Sequence, residues 1–293
     1  MRTPAAEVDT SPALVTALLH DQHPDLAALS VTEAASGWDN ALFRLGDRLS
    51  VRLPRREAAA RLVRNEQRWL GPIAARVGVP VPAPVRVGRP GHGYPWHWSV
   101  TPWFDGRVAA DVPVASRRPL AAPLAAFVNR LHVPAPDDAP ANPVRAVPLR
   151  RRHDRLMEYL DGGRIPRARE LRALWERLAD APAHTGPPLW VHGDLHPANL
   201  LVTSDGEPGL AAVLDFGDLT AGDPATDLAT AWMLFDAPGR AAFRAALPEV
   251  HPHSWDRARA WAVVMGAATA AHSSDNPRMA AIGDHTLTQA LGS

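Results

Sequence analysis

Residues 190–202 read WVHGDLHPANLLV, and the reading of this stretch decides the fold. Trp190 and Val191 before its middle, and Leu200, Leu201 and Val202 after it, are strand formers. Between them stand Gly193, Pro197 and four functional side chains, His192, Asp194, His196 and Asn199. That pattern is a polar loop held between buried elements, where chemistry is usually placed. Asp194 and Asn199 have the spacing D-x-x-x-x-N. A hairpin is expected next, in LLVTSDGEPGLAAVLDFGD, with Ser-Asp-Gly as its turn and Asp215-Phe216-Gly217 at its end.

Phosphoryl transfer asks for this set of groups: a carboxylate facing the acceptor hydroxyl, and an amide oxygen and a second carboxylate to hold magnesium. Magnesium takes hard oxygen ligands, and few from the protein, because water and phosphate fill the rest of its shell. Asp194 is then the base candidate, and Asn199 and Asp215 are the metal-ligand candidates. Any one of these motifs is a common accident; their joint occurrence in order is not. His192 and His196 also invite a zinc reading. Gly193 and Pro197 disfavour a helix through both, and no third nitrogen or sulfur ligand is near in sequence. His192 is therefore read as a packed, hydrogen-bonded histidine that shapes the loop.

The chain has 293 residues, 46 % of them hydrophobic, enough for one large domain or two ordinary ones. Its formal net charge is zero, which argues against a nucleic acid or an anionic membrane as main partner. With no cysteine there can be neither disulfide nor thiolate zinc site. No apolar run approaches the roughly 20 residues of a membrane helix. SPALVTALL near the N-terminus is too short for a signal peptide, so a cytoplasmic protein is expected. All 31 basic residues are arginine, so any role usually given to lysine falls to arginine or is missing.

Ser11-Pro12 opens a capped helix, and LSVTEAASG, NALFRLGD and LSVRLPRR read as a three-stranded meander. A strong helix follows in EAAARLVRNEQRWLGPIAARV, then a Pro/Gly-rich patch and the short apolar WSVTPWFDG. The second half is mostly helical, in PLAAFVNRLH, RELRALWERLADA and DLATAWMLF. The expected layout is a small β-rich N-lobe over residues 1–100, a hinge at 101–106 and a larger helical C-lobe over 107–293. Residues 134–148 read as an exposed Pro-rich connection, and the arginine-dense run from Arg145 to Arg172 as a solvated helix face.

HGDLHPANLLV followed by VLDFGDLTAGDPATDLA resembles the aminoglycoside phosphotransferase family, within the protein-kinase-like superfamily. GWDNALFRLGDRLSVRLPRRE resembles the N-terminal signature of many such proteins. The resemblance implies an α+β, bilobal kinase-like fold with a small antiparallel N-lobe sheet. It also implies Asp194 as catalytic base, Asn199 and Asp215 as Mg2+ ligands, and ATP or GTP as donor. Asp223 would support the catalytic loop by hydrogen bonds, with Asp227 buried beside it. The family's basic residue on the third strand and its helical glutamate fall on Arg52 and Glu66. Arginine stands where many relatives have lysine; it grips phosphate bidentately but needs different space. No full G-x-G-x-x-G loop is present, and Gly37 in SGWDN takes the phosphate-covering position. At the hinge, Pro102 can only accept, so the donating amide for a nucleotide base is Trp103 or Phe104. The family's usual geometry favours the Pro102 carbonyl and the Phe104 amide, with Thr101 behind the base.

Between residues 190 and 240 there are eight acids (Asp194, Asp205, Glu207, Asp215, Asp218, Asp223, Asp227 and Asp236) against one base, Arg240. Such a field favours a cationic hydroxyl-bearing acceptor such as an aminoglycoside, with Asp218 and Asp236 the plausible contributors. Two alternatives stay open: the same chemistry on a macrolide, another natural product or a metabolite alcohol, and a nucleotide-binding pseudokinase. The second expects the loss of Asp194, Asn199 or Asp215, and all three are present.

Overall fold

The structure, a computed structural model, describes residues 5–206 and 208–292, with backbone only for residues 35 and 36; Glu207 lies outside the described residues. The chain divides into two compact units, one running to Arg76 and resuming over Pro80–Phe104, the other comprising Val77–Val79 and Asp105–Ser293.

The smaller unit begins with α1 (Pro12–Gln22), whose N-cap Ser11 accepts from the Leu14 amide. Its strands are β1 (Val31–Ser36), β2 (Asn40–Leu45), β3 (Leu49–Pro54), β4 (Arg86–Gly88) and β5 (Trp98–Pro102), and α2 (Glu57–Val77) follows β3. They form one antiparallel sheet in the order β1-β2-β3-β5-β4. Period-two alternation puts Phe43, Leu45, Val51, Leu53 and Val100 on a face covered by Val15, Leu18 and Leu19 of α1. The pairing sets Arg52 of β3 opposite Ser99 of β5, between the buried Val51 and Leu53. β4, inside the Pro/Gly-rich patch, carries no alternation that would reveal it. Its Gly88, paired with Trp98, has no Cβ and so leaves room for the buried Trp98 indole against its backbone.

In the larger unit, α3 (Ala121–Leu131) leads into the Pro-rich segment, then α4 (His153–Asp161) and α5 (Ala168–Leu178). β6 (Arg107–Val108), β8 (Leu200–Val202) and β9 (Leu210–Val213) form a small antiparallel sheet in which β8 and β9 are the expected hairpin. β7 (Leu189–Val191) pairs with β10 (Thr220–Gly222). The expected helix at DLATAWMLF is two short pieces, α6 (Ala225–Leu228) and α7 (Thr230–Leu234). α8 (Ala237–Ala245), α9 (Pro252–His272) and α10 (Pro277–Leu291) complete the unit. From Trp261 to Ala267 α9 is buried on every side, and helices from both ends of the unit pack around it. No helix among the described residues is long and apolar enough to cross a membrane.

The Pro-rich segment 134–148 corrects an expectation, because it is not simply exposed. Ala146 and Val147 are buried, Pro134 bridges to Leu189, and the Pro140 carbonyl accepts from Ala221. Proline favours a connection without its own ladder, and neighbouring elements supply the bonds instead.

A Cβ at Gly88 would lie 1.9 Å from the Trp98 ring, which is fully buried and cannot yield. Gly88→Ala is expected to lower stability by about 1–3 kcal/mol through overpacking, read as a shifted urea midpoint at constant m. An unchanged midpoint would mean that the sheet edge can move aside.

Candidate active site

The polar loop starts where β7 ends, and its first bend requires glycine. Gly193 has φ +87°, and a Cβ there would meet the Asp218 carbonyl oxygen at 2.5 Å. Both backbone amides of the bend are received by one carboxylate: Asp227, fully buried, accepts from His192 N at 2.8 Å and Gly193 N at 2.9 Å. The His132 imidazole lies 3.1 Å from the same carboxylate. This exchanges two expected roles. Asp227 supports the loop, whereas Asp223 caps α6 by accepting from Ala225 and pairs with Arg257 of α9 through Nε at 2.7 Å. Asp227 lies within α6, whereas Asp223 precedes the helix in extended chain, so the two carboxylates face different partners.

His192 is buried, with its ring 4.5 Å from that of Phe216. The Asp194 amide can only donate, so His192 Nδ1 accepts it (3.2 Å) and Nε2–H donates to the Leu214 carbonyl at 2.9 Å. The ring thus ties the Asp194 loop to the residue before Asp215. Leu214 N also donates to the Asn199 carbonyl at 2.8 Å, a second tie between the same elements. Both ring nitrogens of His192 are therefore occupied, and the zinc reading has no support in the geometry.

Asp194 is a quarter exposed. Asn199 Nδ2 donates to its main-chain carbonyl at 2.9 Å, and His196 Nε2 lies 3.2 Å from Oδ2. Burial alone would raise its pKa, but His196 and Arg145 outweigh that and hold the carboxyl well below the usual carboxylate range. With its nitrogen spent on Asp194, Asn199 is oriented with its amide oxygen as the remaining ligand atom. Asp215 sits in the left-handed region at φ +58°, and its side chain is exposed. That backbone strain in a non-glycine residue is of the kind functional sites retain. An amide oxygen and an exposed carboxylate fit magnesium. Among the described residues no three His, Asp or Glu side chains gather into a metal cage.

Arg145, from the Pro-rich segment, is the site residue that the sequence reading missed. Its Nη2 donates to Asp194 Oδ1 at 2.9 Å and its Nε to Asp218 Oδ2 at 3.1 Å. Asn142 Nδ2 adds a bond to Asp218 Oδ1 at 2.8 Å. Of the two expected acceptor-binding acids, Asp218 is thus shared by Asn142 and Arg145. Asp236 caps α8 through Gly239 and takes a bidentate grip from Arg118.

In the smaller unit, Arg52 Nη1 meets Glu66 Oε1 at 3.1 Å, with Glu66 3 % exposed. Gly37 N donates to the Asn40 carbonyl, and Arg55 Nη1 donates to the Gly37 carbonyl at 2.8 Å, which fixes the turn. Thr101 is buried with its hydroxyl 2.8 Å from that of Ser50. Pro102 pairs with Leu49, and the Trp103 amide is spent on the Arg48 carbonyl, which leaves Phe104 as the donor candidate.

A model of a family described as the phosphotransferase enzyme family matches residues 30–261. No curated protein matches the sequence. Among solved structures, the GDP complex of wild-type aminoglycoside 2'-phosphotransferase-IIIa is 19 % identical with a TM-score of 0.68, covering 97 % of this chain and 99 % of that one. A GDP and kanamycin complex of a related aminoglycoside phosphotransferase is 20 % identical, TM-score 0.69, covering 95 % and 98 %. The macrolide 2'-phosphotransferase MphH from Brachybacterium faecium, as apoenzyme, is 20 % identical, TM-score 0.58, covering 94 % and 97 %. These likenesses give the fold, the one these phosphotransferases share.

Asp227→Ala would leave two buried amides without an acceptor. We expect about 2–5 kcal/mol of lost stability in urea denaturation and a loop that exchanges its amide hydrogens faster. A loss below about 1 kcal/mol would show that the loop holds its shape by other means.

Proposed function

The chain belongs to the phosphotransferase enzyme family, and we propose that it transfers the γ-phosphate of ATP or GTP to a hydroxyl of a small antibiotic molecule. The observation that carries this reading is the juxtaposition of Asp194 with Asn199, in a loop stapled by His192 to the chain entering Asp215. Asp194 receives and orients the acceptor hydroxyl. Its low pKa makes it a weak base, which suits a loose transition state in which the proton moves late. Asn199 and Asp215 would hold magnesium, which when bound would neutralise charge developing on the nucleotide's phosphate oxygens. Arg52, held by Glu66, grips phosphate oxygens in the role a lysine has in many relatives. The Pro102 carbonyl and Phe104 amide bind the nucleotide base, with Thr101 behind it and the Gly37 turn toward the phosphates. A nucleotide donor implies a reaction in the cytoplasm. The presence of Asp194, Asn199 and Asp215 speaks against a pseudokinase.

For the acceptor, an aminoglycoside is the reading that the kanamycin-bound relative supports. The acidic count between residues 190 and 240 gives it less support than it did in the sequence. Arg145 offsets Asp194 and Asp218, Arg118 offsets Asp236, and Arg257 offsets Asp223. That compensation favours, as a second reading, an acceptor of lower positive charge, such as a macrolide.

Purified protein with magnesium and ATP or GTP, tested on aminoglycosides, macrolides and simple alcohols with mass spectrometry of each acceptor, decides between these readings. A phosphorylated antibiotic is the expected product; tight nucleotide binding with no product from any acceptor would overturn the proposal. Asp194→Asn is expected to lower turnover by ~100-fold with nucleotide affinity retained. Near-normal turnover would remove Asp194 from its role. Asp215→Ala is expected to abolish magnesium-dependent nucleotide binding in calorimetry, and an unchanged affinity would move the metal elsewhere.

A further inference from the structure

Three polar side chains flank Asp194 without being base, metal-ligand or nucleotide-contact candidates: Arg145, Asp218 and Asn142. Arg145 opens the arginine-dense run that reads as a solvated face. Arg150, Arg155, Arg167 and Arg172 do form largely exposed ion pairs, but Arg145 turns inward. Its placement can be followed bond by bond. Asn142 N donates to Thr220 Oγ1 at 3.0 Å, and that hydroxyl donates to the Pro140 carbonyl at 3.0 Å, which pins the Pro-rich segment to β10. Asn142 Oδ1 accepts from Val144 N at 2.9 Å and Arg145 N at 3.1 Å, a side-chain turn that fixes the backbone from which Arg145 extends. Asn142 Nδ2 donates to Asp218 Oδ1 at 2.8 Å, and Arg145 Nε donates to Asp218 Oδ2 at 3.1 Å. Arg145 Nη2 completes the series on Asp194 Oδ1 at 2.9 Å.

A long arginine side chain loses rotamer freedom when it is held, and contact with Asp194 alone would hold it poorly. Asp218 supplies the second anchor, so Nε and Nη2 of one guanidinium grip two different carboxylates. Asp218 is itself fixed, because its main chain packs on the Gly193 bend, where a Cβ would meet its carbonyl oxygen at 2.5 Å. The other oxygen of Asp194 faces His196 Nε2 at 3.2 Å, so the carboxylate is held through both oxygens. Asp218, by contrast, already receives an internal donor on each oxygen, and its charge faces a guanidinium. Such a carboxylate has little left to offer an incoming ammonium group.

We propose that Asn142, Asp218 and Arg145 form a positioning network that fixes the orientation of the Asp194 carboxylate toward the acceptor hydroxyl. Asp218 then acts on turnover through Arg145 and does not bind the acceptor. This rests on the reading of Asp194 as the group that receives the acceptor hydroxyl.

The test is steady-state kinetics of the full chain with magnesium and ATP or GTP, and with kanamycin and erythromycin as acceptors. Arg145→Met is expected to lower kcat about 10–100-fold, the scale of a misplaced reacting group, with acceptor KM and nucleotide affinity kept within about twofold. Asp218→Ala should lower kcat less, again at constant acceptor KM, and the double variant should be no slower than Arg145→Met alone. Arg145→Lys should recover part of the loss, since an ammonium can still reach one carboxylate. In the Asp194→Asn background, Arg145→Met should change residual turnover by less than about twofold, an outcome that general loosening of the fold would not give. Melting monitored by circular dichroism establishes that the variants fold. One readout needs no acceptor: by 15N NMR the Arg145 Nε–H is expected to exchange slowly with water in wild type and fast in Asp218→Ala. Asp218→Ala raising acceptor KM at unchanged kcat, multiplicative losses in the double variant, or fast Nε–H exchange in wild type overturns the proposal. Near-normal turnover in Arg145→Met beside an inactive Asp194→Asn discards this inference alone and leaves the base standing. Near-normal turnover in Asp194→Asn removes both.

Discussion

A buried carboxylate at Asp227, accepting from two consecutive backbone amides, is the constraint on which the site depends. His192 N and Gly193 N point into the interior, where an unpaired amide is expensive, and one side chain satisfies both. The arrangement holds only if the chain bends in the left-handed region at Gly193, because any Cβ there meets the Asp218 carbonyl oxygen. Once the bend is set, the His192 ring falls between the Asp194 amide and the Leu214 carbonyl. Base and metal-ligand candidates are thereby held in register by hydrogen bonds within one unit, before any ligand arrives.

Charge is organised by the same economy. A chain with no lysine uses arginine for every cationic role, and arginine's fork suits bidentate pairing. Asp223 with Arg257 is a nearly buried pair that locks α6 against α9, and Asp236 with Arg118 ties α8 to the turn preceding α3. Arg145 is placed by a segment whose own backbone is anchored elsewhere: Ala146 donates to Thr226 Oγ1, and its carbonyl accepts from Asp223 N. The guanidinium that tunes Asp194 thus belongs to the supporting framework of the loop and does not sit on a mobile arm.

The elements that the sequence revealed are those with a local cause. Ser11-Pro12 caps a helix, the alternation around Phe43 and Leu45 makes a strand, and Ser-Asp-Gly turns a hairpin. β4 escaped because its Gly88 packs against an indole, a contact that leaves no period in the residues themselves. The exchanged roles of Asp223 and Asp227 escaped for a related reason. Both are acids in GDPATDLA, and only the folded path of the chain, with Asp223 before α6 and Asp227 inside it, tells which one faces the loop.

By itself, the sequence determined which candidate groups stand together: a carboxylate, an amide and a second carboxylate in order around one hairpin. These are legible because motif spacing along a loop and hairpin survives without knowledge of the rest of the chain. Only the tertiary structure decided the electrostatic setting. Arg145 reaches Asp194 across 49 residues, and Arg118 reaches Asp236 across 118. The acid excess counted along the segment is consequently not the net charge of that region once folded. Coulomb interactions act through space, and proximity in space for residues so far apart in the chain exists only after folding.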